Sequence, residues 1–451
     1  MMHIPNIARP AKRSLSILFV AVAGLGLAGC DDSGGDPKMQ IGANPELPKL
    51  QQYLIPPIRI AKAVGWGKDE TPTVPQGLQI HALATGFQHP RSLYVLPNGD
   101  VLVVESNGPK APIFRPKDVI TGWVQWFAGA KAKDANRITL LRDTNGDGIP
   151  EVRSVFLDNL NSPFGVALVG HDLYVANTDG IVRYPYQEGQ TSITAPGTKL
   201  TDLPGGPIDH HWTKTLIASP DGSKLYVGVG SNSNITENGI QAEYERAAVW
   251  EVDRASGAHR IFASGLRNPT GLAWEPESHK LWAVVNERDE IGPDLVPDYL
   301  TSVRDGGFYG WPYSYYGQHL DPRVEPQRPD LVAKAIVPDY ALSSHVAPLG
   351  VAMYNDTELP ANYRGGAFVG EHGSWDRTPL NGYKVVFVPF SGGQPSGPAQ
   401  DVVTGFLDAN NHARGRPVGL AVDRTGGLLI ADDVGDTVWR VSSGSPSKPA
   451  S

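Results

Sequence analysis

Residues 209–222 read DHHWTKTLIASPDG, and the apolar run LYVGV follows at residues 225–229. A short apolar strand, a Pro-Asp-Gly turn and a second apolar strand together predict a β-hairpin. His211 precedes the first strand, so its imidazole is expected at the mouth of a sheet and not inside it. A pair of exposed surface histidines would give the same local pattern. The rest of the chain favours the first interpretation, because the hairpin recurs.

Six copies of this strand pair follow Gly77. Their first strands begin at Pro90, Pro163, Thr213, Pro269, Pro348 and Pro417, and their second strands cover residues 101–104, 173–176, 225–229, 281–285, 367–369 and 428–431. Such a repeat predicts an all-β fold, a six-bladed β-propeller, in which closure of the ring protects the strand edges. We expect residues near Gln79 to Leu83, or the arm before them, to close the ring against Thr437 to Val441. Two stacked β-sandwiches are the alternative, but sandwiches do not require six similar copies.

The composition agrees with many short strands. The chain has 451 residues, of which 40% are hydrophobic, 51 are glycine and 39 are proline, and this frequency of turn residues argues against long helices. The net charge is −8, which makes nucleic acid an unsuitable partner. A cluster of arginines in so acidic a protein would call for an anionic ligand.

The N-terminus has the pattern of a bacterial lipoprotein signal. Three basic residues precede an apolar run over residues 15–27, and Leu-Ala-Gly-Cys ends at Cys30, the only cysteine. The run is short for a membrane span, and lipidation would explain why a single cysteine is present; an ordinary secretory peptide is the alternative. The predicted divisions are a signal peptide (1–29), a tether and N-terminal arm (30–75), the propeller (76–445) and a disordered tail (446–451). We expect a protein anchored by lipid at Cys30 on the periplasmic side of the envelope.

Polar residues gather near the starts of the six copies. They are Arg91, Asn161, His211, Arg267, Asn268, His345, Arg414 and Arg416. If each copy start marks the same point of a blade, these side chains converge at one end of the central channel. Converging arginines repel each other unless a ligand neutralises them, and their planar guanidinium groups suit carboxylates or phosphates. Separate surface arginines paired with acidic residues are the alternative.

Five segments together resemble the soluble pyrroloquinoline quinone (PQQ) dependent sugar dehydrogenases, in the branch of sorbosone and pyranose dehydrogenases. They are DHHWTKT at 209–215, GLRNPTGLA at 265–273, VNERD at 285–289, GGFYGWP at 306–312 and RGRP at 414–417. The resemblance implies PQQ and calcium as cofactors, with a sugar or aldehyde as substrate. An electron acceptor such as a quinone or a c-type cytochrome would complete the reaction.

The same resemblance implies roles for individual residues. His211 would be the general base, and Arg91, Arg267, Asn268, Arg414 and Arg416 would contact the quinone. The backbone carbonyls of Arg288 and Asp289 would hold calcium. Two positions depart from the glucose dehydrogenase branch: Ser231 stands where that branch has an aspartate that orients the base. The lysine that contacts the quinone in the glucose dehydrogenase branch aligns near Asn381 of this chain. Lys384 or Arg377 is a candidate to replace that lysine.

Two further motifs leave alternatives open. Asp143, Asn145 and Asp147 match the start of a calcium loop, although Ser154 replaces its terminal glutamate, so a second calcium site and a plain acidic turn both remain. His372 and Trp375, with His345, could line a sugar pocket or pack between blades. Two other functions compete with the dehydrogenase. They are a calcium-dependent sugar lactonase, with carboxylates around an axial metal, and a non-catalytic ligand-binding propeller.

Overall fold

A computed structural model describes residues 34–52, 59–109, 127–129 and 135–444. The signal sequence, Cys30 and the tail at 446–451 lie outside these residues, so the predictions made for them stay predictions. The described helices are short: Pro37–Gln40, Ile240–Glu243 and Ala361–Tyr363 are 3-10 turns, and Pro329–Val332 is a single α-helical turn. Within the described residues, no helix is long and apolar enough to cross a membrane.

Six antiparallel sheets form the six blades of a propeller, which confirms the predicted fold. Blade 1 contains Pro90–Val95, Val101–Glu105, Arg137–Arg142 and Val152–Leu157. Blade 2 contains Gly165–Val169, Asp172–Asn177, Gly180–Pro185 and Thr198–Asp202. Blade 3 contains Leu216–Ala218, Lys224–Val229, Ala248–Asp253 and His259–Ser264, with Gly307–Phe308 added in parallel at its edge.

Blade 4 contains Asn268–Trp274, Leu281–Asn286, Pro297–Ser302 and Tyr340–Ser344. Blade 5 contains Pro348–Tyr354, Gly366–Glu371, Lys384–Ser391 and Gln400–Val403, and Gln394–Pro395 pairs with its third strand. Blade 6 contains Pro417–Val422, Leu428–Asp432, Thr437–Ser443 and, as its outer strand, Leu78–Thr85. A small hairpin of Ser314–Tyr315 and His319–Leu320 lies outside the blades.

The ring closes between its two ends, as predicted. Leu78–Thr85 pairs antiparallel with Thr437–Ser443, with Ile80 opposite Val441 and Ala82 opposite Trp439. The outer edge of blade 6 is therefore covered by a strand from the beginning of the domain. This pairing ties the first described strand of the ring to the last and leaves the closing edge satisfied.

The glycine of the repeat has a packing role. A Cβ on Gly350 would lie 2.2 Å from the backbone oxygen of Val418, and a Cβ on Gly165 would lie 2.4 Å from the backbone nitrogen of Leu216. In each case the obstacle is the inner strand of the next blade. Small residues at this position therefore let the six inner strands approach one another around a central cavity of about 310 Å3.

Hydrophobic residues fill the space between neighbouring blades. Val103 packs with the residues of blade 6, whereas Leu102 and Val104 pack with those of blade 2. This alternation is the two-residue period of a strand, with both faces buried. Several buried carboxylates lie at the ends of second strands, namely Glu105, Glu371 and Asp432.

The N-terminal arm packs against the propeller. Ile41–Gly42 extends the sheet of blade 4 by pairing with Tyr340–Ser344. Trp66 contacts Trp439 and Phe406 edge to face and donates a hydrogen bond of 2.7 Å to Asp432 Oδ2. The arm therefore covers parts of blades 4 and 6 close to the ends at which the inner strands begin.

Candidate active site

The predicted base lies where the inner strand of blade 3 begins. His211 is half-buried and His210 is exposed, and the two residues lie in a turn that precedes the strand. A Cβ added to Gly230 would meet His211 Cβ and Asn268 Oδ1, each at 2.4 Å. The second strand of blade 3 and the first strand of blade 4 thus hold these two side chains close together.

Ser231 fixes the orientation of the imidazole. His211 Nδ1 lies 2.9 Å from the backbone oxygen of Ser231 and 3.0 Å from its Oγ. A carbonyl oxygen can only accept, so Nδ1 carries the proton and donates it. Ser231 Oγ itself donates to the backbone oxygen of Ser233 at 2.6 Å and so is free to accept from the ring. Nε2 is then left with its lone pair, as a general base requires.

The surroundings keep His211 neutral. Burial lowers its pKa well below 6.5, and the charge of Arg267 lowers it further, against the opposing effect of Asp289.

Buried charges anchor the segment that carries His211. Asp209 accepts hydrogen bonds from Lys214 Nζ at 3.3 Å and Arg246 Nη1 at 2.7 Å. This ion network is fully buried on the Asp209 and Lys214 sides, and it anchors the segment that carries the base.

The guanidinium of Arg267 donates all of its hydrogen bonds to other residues of the protein. Its guanidinium donates to Asn234 O at 3.3 Å, Asn234 Oδ1 at 3.0 Å, Asn286 O at 3.4 Å, Glu287 O and Asp289 Oδ2 at 3.1 Å. These five contacts equal the number of N–H groups that arginine has. Arg267 therefore joins the loops of blades 3 and 4, and it acts on His211 through its charge.

Asp289, His345 and Asp376 form an acidic cluster between blades 4 and 5. His345 Nδ1 lies 3.5 Å from Asp289 Oδ1 and 3.4 Å from Asp376 Oδ1. Burial opposes protonation of His345, but Asp376 and Asp289 outweigh it and raise its pKa to about 10. Burial also raises the pKa of Asp376 to about 7. The ligating atoms of the three side chains lie within 4.8 Å of one another, which is close enough to share one cation.

His89, Arg91, His372 and Asp433 form a second group, the Asp433 cluster, between blades 5, 6 and 1. Asp433 pairs with Arg91 and accepts from His372 Nε2 at 3.0 Å. Burial alone would raise the pKa of Asp433, but His372, His89 and Arg91 lower it well below its usual value. Burial lowers the pKa of His372 to about 4, so this imidazole is neutral near pH 7. Asp433 thus balances the charge of Arg91.

Several buried polar atoms in or beside these clusters have no hydrogen-bond partner among the described residues, and three of them are candidates for contacts with an anionic ligand. These three are Arg91 Nε, Arg416 Nε and Asn268 Oδ1. Arg416 also forms no ion pair within the described ranges; its guanidinium lies 4.9 Å from the centre of the Tyr383 ring and 3.5 Å from Ala61 O. A buried guanidinium without a carboxylate is costly. Two unsatisfied donors and one unsatisfied acceptor therefore suit an anionic ligand that also carries an N–H or O–H group.

Comparison with known proteins identifies the family. A family model described as TrAA12-like matches residues 133–297 and 330–444, more than half of the chain. The chain belongs to the TrAA12-like family. This membership confirms the resemblance to the soluble PQQ-dependent sugar dehydrogenases that the motifs indicated.

Relatives of this TrAA12-like protein include both uncharacterised and named proteins. An uncharacterised protein of Borreliella burgdorferi is 27% identical over 292 residues, covering 62% of this chain and 76% of the relative. A pyrroloquinoline quinone-dependent sugar dehydrogenase of Hypocrea jecorina is 21% identical over 417 residues, covering 80% and 87%.

Two solved structures share the fold of the TrAA12-like chain. The holo form of the pyranose dehydrogenase PQQ domain from Coprinopsis cinerea has a TM-score of 0.67 at 20% identity and covers 85% of this chain and 100% of that domain. The calcium structure of the Trichoderma reesei family AA12 enzyme also has a TM-score of 0.67, at 19% identity, and covers 86% and 99%.

Other predicted site residues of the TrAA12-like chain have partners of their own. Arg414 is one-third exposed, and its guanidinium lies 3.5 Å from Glu70 of the N-terminal arm. The guanidinium of Arg288 is fully buried and donates to Pro312 O, Ser314 O and Asp321. The backbone oxygen of Asp289 accepts from Asn234 Nδ2 at 3.2 Å and Arg323 Nη1 at 3.0 Å. A calcium ion bound to that oxygen would have to compete with a guanidinium.

Neither candidate for the missing lysine is free. Lys384 Nζ lies 2.7 Å from Asp401, and the buried side chain of Arg377 lies 2.8 Å from Asp294. Asn381 is buried and donates to Ser343 Oγ and Ser344 O, both at 2.9 Å. These contacts give all three residues a part in holding the loops of blades 4 and 5.

The remaining motifs fall in two places. Asp143 receives the backbone N–H groups of Asn145, Gly146 and Gly148, and Asp147 receives that of Ile149, so the loop is held as a turn. Asp143, Asp147 and Glu151 are exposed and could share a cation. Trp375 is half-buried, and its backbone oxygen accepts from the N–H of Arg59 at 2.8 Å, which ties the arm to blade 5.

Two acidic residues of the site were missed by the sequence analysis. Asp376 stands beside the singled-out Trp375, and Asp433 follows the second strand of blade 6. Polar residues also follow the second strands of blade 4, at Glu287, and blade 5, at His372. A search of the positions immediately after each second strand would have found Asp433, because these strand ends meet on the same face as the starts of the inner strands.

Proposed function

We propose that this protein oxidises an aldose or a sugar aldehyde such as sorbosone, with PQQ and calcium as cofactors. The proposal is carried by one observation: buried Arg91 Nε, Arg416 Nε and Asn268 Oδ1 have no partner among the described residues, and Asn268 adjoins the oriented imidazole of His211. PQQ is a tricarboxylate with an N–H group, so it matches two donors and an acceptor. Family membership and the relatives named for PQQ support the same choice.

Different residues of this chain bind the cofactor, take the proton and orient the base in the proposed reaction. Arg91 and Arg416 bind anionic groups of the cofactor, and Asn268 accepts its N–H. His211 Nε2 takes the proton of the substrate hydroxyl, which is the anomeric hydroxyl of a cyclic sugar or a hydroxyl of the hydrated aldehyde, while hydride leaves the same carbon. Ser231 holds the ring with Nε2 unprotonated, and Arg267 disfavours its premature protonation. PQQ, when bound, supplies the two-electron acceptor for that hydride.

Calcium is the metal that the family resemblance implies, and the calcium structure of the Trichoderma reesei enzyme supports it. In this chain the resemblance would place calcium at the backbone oxygens of Arg288 and Asp289, where the ion would have to displace Arg323 Nη1 from Asp289 O. A cation there would stabilise negative charge that develops on a nearby oxygen.

The test is reconstitution of residues 31–451 with PQQ and calcium, followed by a screen of aldoses and aldehydes with an artificial electron acceptor. We expect acceptor reduction that requires both PQQ and a sugar or aldehyde. A sugar lactone serves as the comparison substrate. Lactone hydrolysis without PQQ, and no acceptor reduction with any sugar, would contradict the proposal and favour the lactonase.

The cellular location is part of the same proposal. Lipidation of Cys30 would place the enzyme on the periplasmic side of the membrane, within reach of an electron acceptor such as a quinone or a c-type cytochrome. Cys30→Ala should release or misprocess the protein, as measured by membrane fractionation and by the mass of the mature chain. An unchanged membrane fraction with cleavage at the same site would contradict lipidation.

A further inference from the structure

The acidic cluster joins three separate elements. Asp289 lies in the loop after the second strand of blade 4, His345 lies between blades 4 and 5, and Asp376 lies in the loop after the second strand of blade 5. Their side chains are 20%, 3% and 4% exposed. Two carboxylates and an imidazole brought together at this depth need a common counter-charge, because each would otherwise lose its hydration without compensation.

One nitrogen of His345 is directed at both carboxylates. Nε2 lies 3.1 Å from Gly292 O, which can only accept, so Nε2 carries a proton. A metal ion would bind the neutral ring, in which Nδ1 has only its lone pair and faces Asp289 Oδ1 and Asp376 Oδ1; without a metal, a proton on Nδ1 takes that place. Three electron-rich atoms pointing at one another repel unless a proton or a metal ion lies between them.

The distances favour a metal ion. Nδ1 is 3.5 Å from one carboxylate oxygen and 3.4 Å from the other, longer than the hydrogen bonds of 2.7–3.2 Å that a shared proton would make. A tetrahedral zinc site with metal–ligand distances of about 2.0–2.1 Å separates neighbouring ligand atoms by about 3.3 Å. The two measured separations are close to that value.

The cluster also contains an unsatisfied atom. Asp376 Oδ1, on a side chain that is 4% exposed, accepts no hydrogen bond from any described residue, and it is the oxygen that faces His345. Asp289 Oδ2 is oriented by Arg267 at 3.1 Å, in the way that an outer contact orients a metal-bound carboxylate. Without a metal, the charge of Arg267 and a proton on His345 would both be needed to balance the two carboxylates.

We infer that Asp289, His345 and Asp376 form a divalent-cation site built from side chains, whose imidazole nitrogen favours a zinc-class ion over calcium. Calcium takes six to eight oxygen ligands, whereas imidazole suits zinc and its neighbours. Three protein ligands leave a coordination position open, as in catalytic zinc sites. The inference deepens the proposed function and rests on it only for the use of the metal in catalysis, since the ligands do not include PQQ.

The test uses the full chain after treatment with a chelator and without PQQ. Zn2+ and Ca2+ binding are measured by calorimetry, and Co2+ binding is followed by visible absorption. We expect one Zn2+ per chain at this site, bound more tightly than Ca2+. Asp376→Asn and His345→Gln should each weaken Zn2+ binding at least 10-fold, whereas Asp330→Asn, in an exposed ion pair with Arg328, should leave the affinity unchanged.

A second measurement does not depend on the variants folding. The Cu2+-loaded wild-type protein should show hyperfine coupling to one imidazole nitrogen in its electron paramagnetic resonance spectrum. Absence of nitrogen coupling, Zn2+ affinity that survives both variants in folded protein, or Ca2+ binding as tight as Zn2+ would each overturn the inference. Loss of PQQ binding with Zn2+ binding intact would instead contradict the proposed function and leave this site standing.

Discussion

The two clusters of the active-site face use the same residue types with opposite electrostatic results. In the Asp433 cluster, one carboxylate is surrounded by Arg91 and two histidines, and Arg416 adds a positive charge with no carboxylate partner in the described residues. In the acidic cluster, two carboxylates surround His345. The first region has spare donors and suits an anion, whereas the second has spare acceptors and suits a cation.

The comparison shows that burial and neighbouring charges, and not the residue type alone, determine the charge state of a buried histidine. His372 has its pKa lowered to about 4 because burial prevails, whereas His345 has its pKa raised to about 10 because two carboxylates prevail over burial. His211 lies with Arg267 and Asn268 at the junction of blades 3 and 4, and its neutral ring is available for proton transfer. The division into an anion side and a cation side can be tested one residue at a time.

His211→Ala should have the largest effect. Removal of a general base costs about a hundred- to ten-thousand-fold in turnover, while PQQ binding at the Asp433 cluster remains. Turnover with an artificial acceptor and PQQ affinity are measured together. His210→Ala is the matched control and should change turnover much less. Equal effects of the two variants would show that the catalytic assignment is mistaken.

Arg416→Ala tests the anion side. Loss of one charge-assisted contact costs about 1.5–3 kcal/mol, or about one to two decades of PQQ affinity in an absorbance titration. Arg414→Ala is the control, because this partly exposed arginine already has Glu70 as a neighbour, and it should weaken binding less. Wild-type PQQ affinity in the Arg416 variant would contradict the assignment of Arg416 as a contact to the cofactor.

The pH dependence of turnover tests whether His211, at the junction of blades 3 and 4, has a lowered pKa. His211 is faced by Arg267 and His210, which lower its pKa, and by Asp289, which raises it; burial is the largest influence and lowers it. A base works when unprotonated, so a lowered pKa extends activity to acid pH. We expect the acid limb of the kcat profile well below pH 6.5. A midpoint at or above 6.5 would show that the ring is not desolvated.

Ser231→Ala should have the smallest effect. The substitution removes the Oγ acceptor of His211 Nδ1 but keeps the backbone oxygen at 2.9 Å, which alone can hold the ring. One neutral hydrogen bond is worth about 0.5–1.5 kcal/mol, so turnover should fall by about 2- to 13-fold. Ser223→Ala, on an exposed turn, is the control. A loss as large as that of His211→Ala would mean that the backbone contact does not orient the base.

The fold could be predicted from the sequence because its repeat has a physical cause. Gly350 and Gly165 recur where inner strands nearly touch, and the ring closes through Leu78–Thr85, within the predicted region. Predicting the site was harder. His211 and Asn268 adjoin the predicted strands, but the contacts of Arg267 and Arg414 depend on loops and on the arm, whose paths no local pattern specifies.

Contacts between blades also explain why the positions of the arginines in the sequence did not predict which of them can bind a ligand. Arg267 and Arg416 look alike in sequence, yet one is saturated by five protein contacts and the other keeps a buried Nε without a partner in the described residues. The contacts of Arg267 come from Asn234, more than 30 residues before it, and from the loop of Asn286 to Asp289 after it. Long-range contacts of this kind determine which residues remain available to a ligand.

The most direct test is a titration of PQQ into the purified wild-type protein, followed by absorbance with the fold monitored by circular dichroism. We expect saturable binding of one PQQ per chain that weakens as salt is raised, since guanidinium groups would hold its carboxylates. No PQQ binding by the folded protein would contradict it and leave a propeller with another ligand.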